Sequence, residues 1–253
     1  MNSALVASLV FVCIFGSALL GMYLHGKLPE HHRSSDTKDV VKVANGLVAT
    51  MSALVLGLLL SSTKGTFDKL SDELVAESAK LVQLDRALAN YGPETATLRA
   101  KIRQHYTLAV DELFSGDDAK IARLDSPETV AHAEAIQGEL LGLAPANDLQ
   151  RRQQAKALDL AGAMQSTRWM IVMQTAGSLP GPLLCALGLW LSISFAAYGL
   201  FAPRNATVVV ALCVGSLCVS AALFLILELG TPFDGLVRIS DGPLRSALAH
   251  LGQ

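Results

Sequence analysis

Four stretches of the chain are almost entirely apolar and contain no Lys, Arg, Asp or Glu: residues 1–26, 43–63, 169–203 and 205–227. A bilayer core about 30 Å thick is crossed by roughly 20 residues of α-helix, because each residue adds about 1.5 Å of rise. Each stretch is long enough to supply one crossing helix. We therefore predict four membrane spans, near residues 4–24, 40–62, 183–201 and 206–227.

The polar sequence between the spans divides the chain into four parts. Residues 1–62 carry spans 1 and 2, and residues 180–229 carry spans 3 and 4. Between them, residues 63–179 form a water-facing domain whose apolar positions recur with helical spacing. The tail, residues 230–253, contains a short amphipathic helix that either lies on the membrane or docks on the middle domain. The pattern thus predicts an all-α membrane protein with two hairpins of spans and a long helical domain between spans 2 and 3.

A leucine repeat opens the water-facing domain. From Phe67 to Tyr91 apolar residues recur every three or four positions, and only Glu77 interrupts them. The same phase extends backwards through span 2, so we predict one helix from about residue 40 to 89. A seven-residue repeat favours packing against partner helices. The stripe from Leu70 to Leu88 could join subunits of a homo-oligomer, or it could pack on the other helices of its own domain.

Turn and cap signals divide the rest of this domain. Gly92-Pro93-Glu94 is expected to end the long helix and open the next one. Ser126 followed by Pro127 predicts a helix start, with the serine as N-cap and the proline in the first turn. Asn147-Asp148-Leu149-Gln150 has the form of a capping box and predicts the start of another helix.

Small residues line one side of span 2, at spacings of three and four: Gly46, Thr50, Ala53, Gly57 and Ser61. Small residues permit close contact between helices in lipid, so this side could be a helix–helix interface. It could also form the narrow polar wall of a pore in an oligomer. Lys42 and Asn45 lie at the mouth of the helix, where a lysine either anchors the helix at the membrane surface or attracts anions to a pore.

Polar residues beside the spans supply further candidates. His31 and His32 could bind a metal or respond to pH near neutrality, but the ligand spacing of a structural zinc site is missing. We therefore expect a solvated turn there and no metal. Glu228 ends span 4 just inside the membrane boundary, where an acid is a candidate functional group. Asp234 follows it closely in the sequence.

Composition excludes several classes of function. Of the 253 residues, 51% are apolar and 17% are charged, against about 25% charged in soluble domains. The net charge of −2 does not suggest a nucleic-acid partner. All four cysteines fall inside predicted spans and are expected to pack as small apolar residues. No nucleophile–base pair or phosphate-binding loop is evident, so we expect neither an enzyme nor a cofactor.

Charge counting does not decide the orientation in the membrane. If the N-terminus is cytoplasmic, five basic residues close to the span ends lie inside and four lie outside: Lys64, Lys69, Arg168, Arg238 and Arg245 against Lys27, Arg33, Lys38 and Arg204. A difference of one residue is too small for the positive-inside rule to apply. The opposite orientation would make the middle domain an extracytoplasmic sensor.

Three sequence motifs carry a resemblance to a known family. Residues 28–32 read Leu-Pro-Glu-His-His, residues 228–236 read Glu-Leu-Gly-Thr-Pro-Phe-Asp-Gly-Leu, and residues 240–244 read Ser-Asp-Gly-Pro-Leu. With the layout of two spans, a long domain and two further spans, the chain resembles the bacterial bestrophin-like membrane proteins. Members usually have an acid where this chain has Gly230, which leaves no charge-based role for that position.

The resemblance implies a relation to bestrophins, which are pentameric anion channels with both termini in the cytoplasm and span 2 lining the pore. It therefore favours an oligomeric ion channel of the anion type in a bacterial inner membrane. The expected partners are the lipid bilayer, further copies of the chain and small ions. The calcium-binding clasp of bestrophins has no counterpart in the sequence, so calcium gating is not implied. The alternative is a non-conducting membrane sensor or scaffold that uses the middle domain as a binding module.

Overall fold

The computed structural model describes residues 3–27, 35–116, 126–175 and 181–252. The described residues form eight α-helices, joined between α2 and α3 by a short 3-10 turn at Pro93–Thr95: α1 (Ser3–His25), α2 (Ser35–Tyr91), α3 (Ala96–Leu113), α4 (Pro127–Leu141), α5 (Asp148–Thr175), α6 (Gly181–Phe201), α7 (Ala206–Leu229) and α8 (Gly242–His250). No strand occurs in these ranges, which confirms the all-α prediction.

The chain divides into two units. The first comprises Met1–Gly65 and Ser178–Gly230, and the second comprises Thr66–Gly177 and Thr231–Gln253. In the described part of the chain, four helices are long and apolar enough to cross a membrane: α1, α2, α6 and α7. Each of them contains one of the predicted spans. We refer to the first unit as the membrane unit and to the second as the helical domain.

Glycines bring α1 and α6 into backbone contact in the membrane unit. A Cβ added to Gly21 of α1 would overlap the carbonyl oxygen of Ala196, and one added to Gly199 of α6 would overlap that of Ala18. Both glycines are buried, and further along the same two helices Leu187 of α6 and Ile14 of α1 are completely buried in the membrane unit. Small residues of this kind allow two helices to approach closely in lipid.

The long helix predicted from the leucine repeat is present and runs unbroken for 57 residues, including Gly65. In the helical domain its apolar stripe is buried: Leu70, Leu74, Leu81 and Leu88 are each at most 3% exposed. They share one apolar core with side chains of α3, α4, α5 and α8. The prediction that this stripe joins subunits is therefore wrong, because its own domain already covers it.

The backward extension of the repeat through span 2 correctly predicts one continuous helix, but burial does not follow the repeat there. Of the positions that continue its phase, Gly46, Ala53 and Leu60 are exposed, Ala49 and Leu56 are partly exposed, and Thr63 is buried. Otherwise the buried side of this part of α2 carries Asn45, Ser52 and Leu59. Lipid does not penalise exposed apolar side chains, so a hydrophobic pattern does not report which side of a membrane helix is covered.

The predicted helix starts in the helical domain are confirmed. The Ser126 Oγ accepts a hydrogen bond of 3.2 Å from the backbone N–H of Thr129 at the start of α4. At α5, the Asn147 Oδ1 accepts from the Gln150 N–H at 2.9 Å, and the Gln150 side chain accepts from the Ala146 N–H at 2.7 Å. Side-chain acceptors of this kind satisfy backbone donors that a helix leaves unpaired at its N-terminus.

The tail docks on the helical domain. Leu244, Ala247, Leu248 and Leu251 join the core that contains the leucines of α2, and α8 packs against α3. A buried ion pair lies beside it: the Nε and Nη2 of Arg99 each donate to one oxygen of Asp85 at 2.7 Å. The Gly252 N–H also donates to Asp85, at 3.3 Å. Of the two positions expected for the tail helix, the structure thus has the docked one.

Gly199→Ala is expected to destabilise the protein, because the added methyl group would overlap the backbone of α1 and force the two helices apart. Overpacking of this kind typically costs about 1–3 kcal/mol. The measurement is the melting temperature in detergent. Gly188→Ala on the same helix is the matched control, since a Cβ there would meet no atom within 4 Å. Equal melting temperatures for the two variants would contradict the close contact.

Candidate functional site

The membrane part of α2 has one side that is buried by its own unit. Asn45, Ser52 and Leu59 follow one another at seven-residue intervals, and each is less than one-tenth exposed. Leu59 belongs to an apolar cluster that also contains Ile14 of α1 and Leu191 of α6. Partly covered residues such as Val55 and Leu56 flank this side, and the exposed part of the helix falls into two chemically different sides.

The first exposed side is the row of small residues predicted from the sequence. All five are exposed: Gly46, Thr50, Ala53, Gly57 and Ser61. At about 100° per residue, this side is centred about 130° from the buried side. A Cβ added to Gly46 or Gly57 would meet no atom within 4 Å, so no helix in the described part of the chain covers this side at these positions. The Thr50 hydroxyl donates to the Gly46 carbonyl at 2.8 Å, which satisfies its proton within the helix.

The second exposed side is bulky and apolar. It lies about a quarter turn from the small residues. Its side chains are 58–66% exposed: Leu47, Met51, Leu54 and Leu58. A surface of this composition is compatible with lipid or with another apolar helix. The helix therefore presents a narrow side with hydroxyl groups and a separate apolar side.

Lys42 and Asn45, predicted together at the mouth of the small-residue side, lie in different surroundings. The Lys42 side chain is 69% exposed and forms an ion pair of 3.6 Å with Asp39. Asn45 is buried, and its Nδ2 donates to the Ser194 carbonyl of α6 at 3.3 Å. The prediction grouped Asn45 with Gly46, but adjacent positions on a helix point about 100° apart. Its amide therefore meets a backbone carbonyl of the neighbouring helix.

Hydrogen bonds from two basic side chains join the C-terminal ends of α1 and α6. Nδ1 of His25 on α1 donates to the Leu200 carbonyl of α6 at 2.6 Å. Arg204, just after α6, donates from Nε and Nη2 to the Met22 carbonyl of α1 at 3.1 and 2.8 Å. Side-chain N–H donors satisfy the free carbonyls at a helix C-terminus, and the charge of Arg204 also complements the partial negative charge there. From the sequence, Arg204 was counted only among the charges beside the spans, although basic residues beside helix ends were a usable signal.

The remaining predicted site residues are dispersed. His31 and His32 lie outside the described residues. Glu228 is buried, 5% exposed, at the end of α7. Asp234 is exposed, and its Oδ1 accepts from the Gly235 N–H at 2.7 Å in a turn. The described part of the chain has no group of three or more His, Cys, Asp or Glu that could hold a metal ion.

A buried polar cluster in the helical domain was missed as a candidate. Glu77, which interrupts the leucine repeat, is 6% exposed. The Tyr106 hydroxyl of α3 donates to its Oε1 at 3.2 Å, and Lys80 Nζ lies 3.6 Å from its Oε2. Burial raises the pKa of Glu77 to about 7, although Lys80 and hydrogen bonds from Thr167 and Tyr106 oppose the shift. The signal in the sequence was the single acid in an otherwise apolar stripe.

Comparison with known families confirms the resemblance that the sequence motifs indicate. The Bestrophin-like domain matches residues 12–244. The chain belongs to the Bestrophin-like family. A crystal structure of a bacterial bestrophin homologue from Klebsiella pneumoniae, carrying a tryptophan-to-alanine mutation, aligns with a TM-score of 0.64 at 13% identity and covers 99% of this chain and 97% of its own. At this identity the similarity shows a shared fold. No curated protein matches the sequence.

The C-terminal motifs of this Bestrophin-like chain have structural roles. Phe233 is 2% exposed, and its ring meets Phe114 edge to face at a centroid distance of 5.6 Å. Gly235 has a φ of 89°, which favours glycine, and turns the chain after Asp234. Arg245 links Asp241 to Asp111 of α3. These contacts fix the tail on the helical domain.

Glu77→Gln should reduce the pH dependence of stability. Since the pKa of Glu77 is raised from 4.5 to about 7 in the folded protein, folding favours its protonated form. The wild type therefore loses stability as the pH rises from about 4.5 to 7, by about 3 kcal/mol at 1.36 kcal/mol per unit. Glutamine keeps the shape without ionising, so the melting temperature of the variant should fall less between pH 5 and pH 8.

The matched control for this experiment is Asp72→Asn, an exposed acid on the same helix. It should keep the pH dependence of the wild type. If Glu77→Gln follows the wild-type curve as closely as this control does, ionisation of Glu77 does not limit the stability of the helical domain.

Proposed function

We propose that this protein is the subunit of an oligomeric ion channel whose pore is lined by the small-residue side of α2. One observation carries the proposal: α2 buries Asn45, Ser52 and Leu59 on its own unit and leaves Gly46, Thr50 and the rest of that side uncovered. Membership of the Bestrophin-like family supports ion conduction as the function of such a surface.

The pore requires several copies of the chain. One chain contributes a single α2, and a single helix cannot enclose a passage, so copies must surround an axis. The two exposed sides of α2 suit this arrangement, because the narrow side can face water while the side with Leu54 and Leu58 contacts lipid or a neighbouring subunit. Most homo-oligomers have closed rotational symmetry, which would arrange the copies of α2 around one axis.

We propose anion selectivity on the analogy with bestrophins alone. Lys42 is the basic residue of α2 closest to the mouth of the small-residue side, but its charge is offset by Asp39 at 3.6 Å. The Thr50 hydroxyl already donates to Gly46, so its oxygen and the backbone carbonyls near the glycines offer acceptors, and this surface does not by itself select anions. On the same analogy we propose that the protein lies in a bacterial inner membrane, with both termini and the helical domain on the cytoplasmic side.

The alternative function, a non-conducting sensor or scaffold, is favoured by a different observation. In the helical domain, a cleft of about 630 Å³ lies between α3 and α4, lined by polar residues that include Lys101, His132 and Glu139. A cleft of this volume is within the range of small-molecule sites. Electrical recording separates the two functions, since the sensor requires no current.

Purified protein in planar bilayers is expected to give single-channel currents. In a background with the four native cysteines replaced by alanine, Thr50→Cys should make the current sensitive to a charged, impermeant thiol reagent, because the modified side chain would project into the passage. Leu58→Cys is the matched control, exposed on the other side of the same helix, and should leave the current unchanged.

Equal block at both positions would place the pore elsewhere, and the absence of current under varied voltage, pH and anions would reject the channel in favour of the sensor. The same reagent tests the orientation in intact cells. Ser115→Cys, in the exposed turn after α3, should remain unlabelled if the helical domain is cytoplasmic.

Native mass spectrometry of the detergent-solubilised wild type should show a homo-oligomer. Gly57→Leu tests whether the small-residue side lines the pore or joins subunits, because leucine would fill either space. We expect the oligomer to persist in this variant while the conductance falls. Loss of the oligomer on this substitution would instead make the small-residue side a subunit interface, and a monomeric wild type would remove the basis of the pore.

A further inference from the structure

The interior of the helical domain contains an arginine whose hydrogen-bonding edge has no partner among the residues that the structure describes. Arg168 of α5 holds its Nε and Nη2 atoms away from solvent, and among the described residues neither atom has a hydrogen-bond acceptor. Its guanidinium lies 5.5 Å from the ring centroid of Trp169. An unpaired buried donor of a charged group is costly, so this edge requires an acceptor.

In two other arginines, the contacts of the Nε and Nη2 atoms show what this pair of donors binds. Nε and Nη2 of Arg99 hold the two oxygens of the Asp85 carboxylate at 2.7 Å each. The corresponding atoms of Arg204 converge on the carbonyl oxygen of Met22. Two parallel N–H groups match the spacing of two oxygens on one planar carboxylate or carbonate group. The vacant edge of Arg168 therefore has the geometry of an oxyanion receptor.

Arg168 lines a small cavity. The space measures about 80 Å³ and is bounded by α2, α3, α4, α5 and α8, with Glu77, His105, Tyr106 and Thr129 as its other polar walls. One water molecule needs roughly 10–15 Å³ of such space, so the cavity has room for a group of several atoms. It shares His105 and Thr129 with the cleft between α3 and α4, which provides a route of entry.

The charges around the cavity permit an anion. Glu77 is the acid on the wall, and burial raises its pKa to about 7, which keeps it largely protonated below neutral pH. Burial and the charge of Arg168, with a smaller effect of His132, lower the pKa of His105, which leaves its ring neutral and able to donate one hydrogen bond. Arg168 is thus the dominant charge of this cavity.

We propose that the helical domain binds a small planar oxyanion, of the size of formate, acetate or bicarbonate, through the Nε and Nη2 of Arg168 in this cavity. The site does not involve the small-residue side of α2 and does not depend on the channel function. Its position on the helix that also carries Trp169 gives the protein an internal reporter, because an anion on the guanidinium changes the electric field at the indole.

The experiment uses the full-length chain with Trp190→Phe, which leaves Trp169 as the only one of the two tryptophans. Sodium formate, acetate or bicarbonate replaces sodium chloride at constant ionic strength and pH. We expect a saturable change of Trp169 fluorescence and a matching rise in melting temperature. A response that is absent or does not saturate would overturn the proposal and mean that the protein itself or water satisfies the arginine.

Two variants locate the site. Arg168→Lys keeps the charge but loses the two-pronged edge, so the apparent affinity should fall about tenfold or more, as for the loss of one charged hydrogen bond. Arg152→Lys, exposed on the same helix, is the matched control and should bind as the wild type does. Equal affinity in the Arg168 and Arg152 variants would overturn the assignment.

A second variant keeps the arginine in case Arg168→Lys folds poorly. Ala109 lines the cavity, and Ala109→Leu would fill part of it without removing any polar group. We expect this variant to lose acetate binding more than formate binding, because acetate carries the additional methyl group. Unchanged affinity for both anions would place them outside the cavity and overturn the proposal.

Discussion

The backbone contact between α1 and α6 at Gly21 and Gly199 organises the membrane unit. In lipid, apolar side chains gain little from mutual burial, so helices associate through close packing and polar contacts. Here the glycines provide the close packing, and His25 and Arg204 provide hydrogen bonds between the ends of the same two helices. With its position fixed in this way, α6 offers the Ser194 carbonyl to Asn45 and so determines which side of α2 is covered.

The helical domain follows a different physical rule. Water drives the leucines of α2 into a common core with α3, α5 and α8, and polar groups that enter this core must find partners. Asp85 is fully paired with Arg99, and hydrogen bonds from Arg99 and Gly252 lower its pKa although burial acts in the opposite direction. Glu77 is partly paired, and Arg168 has two donors without an acceptor in the described structure. Asp85 and Arg99 satisfy each other and form a structural ion pair, whereas the unpaired donors of Arg168 mark a candidate binding site.

The buried leucine stripe and the exposed sides of α2 also bear on the proposed channel. The leucine stripe cannot serve as an oligomer interface, because its own domain buries it completely. Contacts between copies must therefore use other surfaces, among them the apolar side of α2 with Leu47, Met51 and Leu58. A large exposed apolar surface on a helix is expected to meet lipid or another protein chain. Assembly and conduction would then depend on neighbouring sides of the same helix.

The sequence by itself determined the helices, their caps and the apolar stripe from Leu70 to Leu88, because these depend on local spacing and on burial from water. The motifs at residues 28–32, 228–236 and 240–244, together with the layout of the spans, also indicated the family. Only the tertiary structure decided which side of α2 is buried in the membrane unit, and it moved Asn45 from the predicted pore to a contact with α6. Lipid accepts apolar side chains on every side of a helix, so hydrophobic periodicity could not reveal this. The hydrogen bond from His25 to Leu200 likewise joins residues far apart in the sequence. Whether Arg168 finds an acceptor also depends on such distant neighbours, and no local pattern specifies them.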